Sequence, residues 1–211
     1  MRSWTICLAG AVVLALALQS PALAHDFGVR AILTGADGVP ANDIPGYGAF
    51  GHWRMSDRWS VGFAVDRTDY DFERPAEVVG LRQDQNVEDI DSIAEATILS
   101  AWIERTYPRP GRLEWFWGAG LGFASLDVPD ATGPLEGGGT FDVRTEVDSE
   151  VIASLLGGLH LKLGERWIVE LALRADQHFA DWQVTDRVSG NRGAIDDYRA
   201  LGGHAGLLFR F

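Results

Sequence analysis

Period-two alternation of apolar and polar side chains, sustained for ten residues or more at a time, constrains this chain more than any other feature. It puts one face of an extended strand in an apolar environment and the other in a polar one, and it does not fit the 3.6-residue period of a helix. Across 26–34, Phe27, Val29, Ala31 and Leu33 alternate with Gly28, Arg30, Ile32 and Thr34. Across 58–68, Trp59, Val61, Phe63 and Val65 alternate with Ser60, Gly62, Ala64 and Asp66. Across 113–126, Trp115, Trp117, Ala119, Leu121 and Phe123 face away from Glu114, Phe116 and three glycines. Further strands are expected at 46–55, 93–106, 150–163, 166–179 and 198–211, which makes eight. Odd-numbered residues are the apolar ones in every strand. That shared parity is an accident of turn lengths, but the two-faced pattern within each strand is not.

The connections alternate in length. Short turns fall at 55–58, 107–112 and 164–165, and long links at roughly 35–45, 69–92, 127–149 and 180–197. The segments 35–45, 69–91, 127–150 and 180–197 carry 21 Asp and Glu against five Arg. Short turns at one end and long loops at the other are the layout of a transmembrane barrel. The aromatic residues agree. Phe27, Trp53, Trp59, Trp115, Trp117, Trp167, Phe209 and Phe211 all have odd parity and cluster near the short turns and chain ends. Rings gathered at one height of an outward face form the girdle of a membrane–water interface. On a soluble sandwich or lipocalin, whose apolar face points inward, the same rings would make an exposed, aggregation-prone patch. The expected fold is an all-β, eight-stranded antiparallel up-and-down transmembrane β-barrel over residues 25–211.

Residues 1–24 read as a cleaved signal peptide for Sec export: Arg2 at the start, the apolar run Ile6 to Leu18, and Ala22-Leu23-Ala24 before the cut. The run is too short for a membrane-spanning helix and ends in Gln19, Ser20 and Pro21. The single cysteine, Cys7, lies inside this segment, so the mature chain is expected to have neither disulfide nor thiol chemistry. Of the 211 residues, 18 are basic and 30 acidic; removing the leader takes one Arg and leaves a net charge of -13. That balance excludes a nucleic-acid surface, which needs clustered Lys and Arg. The 25 glycines follow no repeat period, which excludes collagen and solenoid folds.

The ending Leu207-x-Phe209-x-Phe211 resembles the C-terminal signature that the barrel-assembly machinery recognises in Gram-negative outer-membrane proteins. The stretches Trp117-Gly118-Ala119-Gly120-Leu121-Gly122-Phe123-Ala124 and Gly202-Gly203-His204-Ala205-Gly206-Leu207-Leu208-Phe209-Arg210-Phe211 are similar to small eight-stranded barrels of the opacity-protein and outer-membrane protein A type. The resemblance implies a cell outer-membrane protein with outer-membrane lipids and lipopolysaccharide as surroundings, and Leu207, Phe209 and Phe211 as its assembly signal. No peptidoglycan-binding domain is expected after Phe211. These motifs are structural and carry no activity by themselves.

By parity the inward charges are Arg30, Arg54, Lys162, Arg174 and Arg210 against Asp66, Glu104, Glu114, Glu170 and Asp176. Counting along each strand puts Asp66, Arg174 and Asp176 high and the other seven in the lower half, near the short turns. An eight-stranded barrel encloses little more than its side chains, so these residues are expected to pair and plug the lumen. The resulting reading is a structural or surface-interaction protein, with a narrow small-solute channel as the alternative. His52 and His160 are expected low, His204 at mid-height and His178 near the top, not converging as a metal site requires. His25 would become the new N-terminus, a copper ligand in principle. No cofactor or metal is expected. Two small-barrel families modify lipid A, a palmitoyltransferase and a 3-O-deacylase with a His-x-Ser pair and a Glu. Here Ala180 stands where that serine would follow His178, leaving no hydroxyl nucleophile, so an enzyme is not expected. The acidic loops are read as solvated; Asp69-x-Asp71-x-Glu73 lacks the glycine turn and distal glutamate of a calcium loop. Arg67, Arg105 and Arg199, outward at strand ends, are candidates to touch lipid phosphates.

Overall fold

The computed structural model describes residues 25–37, 44–74, 90–134, 139–147, 149–195 and 197–211. The expected leader therefore lies outside the described residues, as does the tip of the acidic loop at 75–89.

Among the described residues there are twelve strands: β1 (His25–Asp37), β2 (Ile44–Arg54), β3 (Trp59–Arg74), β4 (Ile90–Tyr107), β5 (Leu113–Asp127), β6 (Ala131–Pro134), β7 (Thr140–Val147), β8 (Glu150–Lys162), β9 (Trp167–Phe179), β10 (Trp182–Asp186), β11 (Arg192–Ile195) and β12 (Tyr198–Arg210). Eight of them close into an antiparallel barrel in the order β1-β12-β9-β8-β5-β4-β3-β2. Closure comes from the pairing of β1 with β12, in register from Asp26 opposite Arg210 to Asp37 opposite Arg199. Closing the sheet removes both edges, so every strand finds partners on two sides. All eight expected strands are present.

Four strands were not expected. The links at 127–149 and 180–197, expected as acidic loops, contribute instead a second sheet, ordered β11-β10-β7-β6. Its inner positions are Phe141, Val143 and Thr145 from β7 and Trp182, Val184 and Asp186 from β10, all buried. The parity flips between β7, whose buried residues are odd, and β8, whose inward residues are even. Asp186 at its end is not a solvated acid. Its carboxylate accepts the N–H of Asp142 at 3.1 Å, of Val188 at 3.2 Å and of Ser189 at 3.1 Å, and the Ser189 hydroxyl at 2.6 Å. Burial pushes this carboxyl's pKa up, but the Ser189 hydroxyl and the three N–H groups outweigh it and hold it below the usual aspartate value. Arg187 ties the sheet's acids together, reaching Asp130 at 2.6 Å and Asp142 at 3.3 Å.

The two faces of the barrel wall match the alternation. Leu33, Val65, Leu121, Phe123, Leu155, Leu173 and Leu201 are each more than half or nearly half exposed on the outside. Toward the short turns, Trp59, Trp115, Trp117 and Trp167 are also exposed. Phe27, Trp53 and Phe209 are half-buried because the rings lean on one another: Phe27 on Phe63 and Phe211, Trp167 on Phe209, and His25 edge-on to Trp53. Arg105 joins this belt, with its guanidinium over Trp59 and Tyr107. Arg67 instead pairs with Glu95, and Arg199 donates to Gln177. On β5 the outward row from Leu113 to Phe123 spans ten residue steps, about 34 Å of strand. Tilted by about 40°, that is roughly 26 Å of height, the thickness of the apolar band of a membrane barrel.

The interior is narrow, so large inward side chains need vacancies opposite them. A Cβ on Gly62 would lie 2.0 Å from the Trp102 ring, and one on Gly206 2.6 Å from Phe50. Those glycines let Phe50, Ala64, Trp102, Ile168 and Leu208 pack as one apolar cluster, with Ile98, Ala124 and Ile152 forming a second. Apolar side chains thus line the lumen as well as charged ones. At two of the short turns, Gly111 and Gly164 take φ of +112° and +116°, which L side chains rarely adopt.

Candidate functional site

The inward-facing polar groups form layers along the barrel. At the short-turn end Arg210 grips Asp26 through Nε at 2.8 Å and Nη2 at 3.1 Å, Arg54 reaches the same carboxylate at 3.4 Å, and Lys162 meets Glu114 at 2.6 Å. Further in, Arg30 forks onto Asp66 at 2.9 and 2.5 Å, with its guanidinium against Phe50 and Trp102. Both partners are almost fully buried. Beyond them Arg174 Nε donates to Asp176 at 2.7 Å, while Arg174 Nη2 finds no partner. Next to these two pairs is a cavity of about 30 Å³, bordered by Arg30, Asp66, Arg174 and Asp176.

The top layer was missed by sequence reasoning. Glu150, fully buried, accepts the Trp182 indole N–H at 2.6 Å and the Tyr198 hydroxyl at 3.1 Å, and lies 2.9 Å from His178 Nδ1. His178 stacks on Tyr198 with ring centroids 4.3 Å apart. This cluster latches the second sheet to the barrel rim through Trp182. In sequence Glu150 ends the acidic 127–150 segment, and Asp26 lies next to the expected start of the mature chain. Even parity would have placed both inside.

The expected separation of the histidines is contradicted. Glu170, fully buried, lies 2.7 Å from His160 Nε2 through one oxygen and 2.6 Å from His204 Nε2 through the other. His52 Nε2 is 3.5 Å from Glu170 and 3.7 Å from Glu104. Three of the four inward histidines therefore surround a single carboxylate, and only His178 stands apart. The expected heights fail for the same reason. Arg30, expected low, is in contact with Asp66, expected high, and Glu170, expected low, touches His204, expected at mid-height. Counting residues from a turn ignores the stagger that closure imposes: tilted strands bring different counts to one height. The register shows it directly, with Glu170 opposite both Gly206 and His160, while Arg30 runs through Gly48 to Asp66.

Around this centre Glu104 is held loosely, by the hydroxyls of Thr106 at 3.3 Å and Ser60 at 3.4 Å and by the Trp102 indole N–H at 3.4 Å. Ring contacts fix the imidazoles: Phe116 stacks on His160 with centroids 4.4 Å apart, and Phe50 and Trp102 lie edge-on to His52. At position 180 the residue is alanine, and its N–H donates to Asp197.

No protein-family model and no curated protein matches the sequence. Among solved structures, the outer membrane protein OprG from Pseudomonas aeruginosa superposes with a TM-score of 0.64 at 9% identity, covering 90% of this chain and 96% of that one. AlkL, an outer membrane protein determined in lipid bilayers, superposes with a TM-score of 0.52 at 14% identity, covering 90% and 89%. Neisserial surface protein A gives 0.49 at 14% identity over 90% and 97%. The fold is that of the small eight-stranded outer-membrane barrels.

Proposed function

We propose that this chain is an outer-membrane barrel that works as a closed scaffold, holding a folded acidic sheet outside the lipid for surface interaction. The observation that carries the reading is the succession of inward side chains along the barrel. Ion pairs, a histidine–carboxylate centre and two apolar clusters succeed one another from the short turns to the rim, and the cavity beside Arg30 and Arg174 has room for about 30 Å³. That is space for a water or two and not for a continuous aqueous path. The outward apolar band fits lipid tails, with the Trp belt at the interface facing the short turns. Lipopolysaccharide would then surround the outer end. Asp130, just before β6, and Asp142 in β7 both pair with Arg187, which reduces their repulsion for its phosphates.

In this reading β7 and β10 extend the surface beyond the rim, and the Glu150–Trp182–Tyr198 latch keeps them in one orientation. The test is conductance of the refolded full chain in a planar bilayer at neutral pH, with folding verified in the same sample. Silence is the expected result. Discrete, reproducible openings would overturn the closed scaffold in favour of a narrow channel. A changed lipid A acyl pattern on deleting the gene would overturn it in favour of an enzyme.

A further inference from the structure

We propose that His52, His160, Glu104 and Glu170 form a buried site for one divalent first-row transition-metal ion, with zinc as the reference occupant. One ligand atom from each residue lies within 4.8 Å of the other three, and all four residues are buried. They come from four different strands, β2, β8, β4 and β9, so an ion here would tie half of the barrel wall together.

The charge balance asks for a cation. Glu104 and Glu170 are 1% and 0% exposed, and among the described residues neither is paired with an Arg or Lys; their only basic partners are histidines. Among the described residues the buried carboxylates Asp26, Glu114 and Asp66 each have an Arg or Lys of their own, and Glu150 at the rim has two neutral donors, Trp182 and Tyr198, beside His178. Two carboxylates in a water-poor interior with no partner of fixed positive charge carry a large desolvation cost, which a divalent ion between neutral imidazoles offsets.

The geometry points the same way. His52 is 3% exposed, yet among the described residues its Nε2 has no hydrogen-bond partner, and it lies 3.7 and 3.5 Å from the two carboxylates. A buried, unsatisfied ring nitrogen is costly unless something is bound to it. Tetrahedral zinc with bonds of about 2.0–2.1 Å holds its donor atoms about 3.3 Å apart. The separations from His52 Nε2 to Glu104 and Glu170, 3.7 and 3.5 Å, are already close to that. The 2.7 Å contact between His160 Nε2 and Glu170 has to widen, by about 0.6 Å, and the remaining separations, all within 4.8 Å, have to draw in toward about 3.3 Å, as the proton on that nitrogen leaves to solvent and the metal takes its place.

An outer layer is in place. His204 on the second oxygen of Glu170, and Thr106, Ser60 and Trp102 on Glu104, orient the carboxylates as supporting groups around metal sites do. The imidazole and carboxylate donor set suits zinc and its neighbours and lacks the all-oxygen shell of calcium or magnesium. A small cavity of about 10 Å³, lined by Asp26, Ser60 and Thr106, lies between the Ser56–Arg58 turn and His52, Glu104 and His160, on the side from which an ion would enter.

The test uses the refolded full chain, stripped with chelator, reloaded with Zn²⁺ and freed of unbound ion. One zinc per folded chain and a higher unfolding temperature than the stripped protein are expected. His52→Asn and Glu104→Gln should each weaken binding by about 100-fold or more, and His204→Asn by roughly 10- to 100-fold. His178→Asn and His25→Ala should leave it unchanged, which separates this centre from the rim cluster and from an N-terminal site. Loading the wild-type chain with Co²⁺ reads the site even if a variant fails to fold: a tetrahedral visible spectrum supports it. No bound metal on the folded wild-type chain, a spectrum of hydrated cobalt alone, or unchanged stoichiometry in folded His52→Asn and Glu104→Gln each overturns the proposal.

Discussion

Asp66→Asn isolates the most deeply buried arginine pair of the lumen. The substitution keeps the shape of the side chain, which matters because a Cβ on Gly48 would already lie 2.0 Å from Asp66 Oδ1. It leaves the Arg30 guanidinium, 2% exposed at its side chain and enclosed by Phe50 and Trp102, without its counter-charge. Breaking one side of a buried pair typically costs about 3–5 kcal/mol. The adjoining cavity of about 30 Å³ admits a water to the exposed charge, so the lower end, about 3 kcal/mol, is expected. That is roughly two decades in the unfolding equilibrium constant. Reversible urea unfolding in lipid vesicles measures it. Arg30→Met with Asp66→Leu should recover most of the loss, because removing both charges removes the desolvation cost along with the attraction. A loss under about 1 kcal/mol for Asp66→Asn, the value of a screened surface pair, would refute the reasoning, as would a double variant whose cost is the sum of the two singles.

Gly62→Ala drives a methyl to within 2.0 Å of the Trp102 ring and is expected to destabilise the barrel by about 1–3 kcal/mol or prevent folding, read by the same unfolding curves. Leu173→Arg, on the outward face in mid-strand, should cost about 2–4 kcal/mol in lipid, and Leu161→Arg near the short turns only about 0–1 kcal/mol; equal costs would deny that the outward band faces lipid. The Asp186 carboxyl has a folded pKa below its unfolded value, so its contribution is present above the unfolded pKa near 3.9 and is lost as pH falls through the lower folded value. Amide exchange at Val188 and Ser189 should therefore quicken only in acid, once the intrinsic pH dependence is removed, and Asp186→Asn should quicken it at neutral pH.

What the sequence determined by itself is the wall. A strand's two faces are written in consecutive residues, so the alternation through Trp115, Trp117, Leu121 and Phe123 was enough to give the number of barrel strands, their inward and outward sides, and the belt of rings near the short turns. The long links were legible only as polar and acidic. Strands β7 and β10 form because they pair with each other at long range and because Trp182 finds Glu150 on the barrel rim, and no local pattern records that. Parity also put His52, Glu104, His160, Glu170 and His204 inside, but not beside one another. Their meeting depends on strand tilt and on the stagger with which β1 closes against β12. Those are properties of the whole closed sheet, and only the tertiary structure decides them.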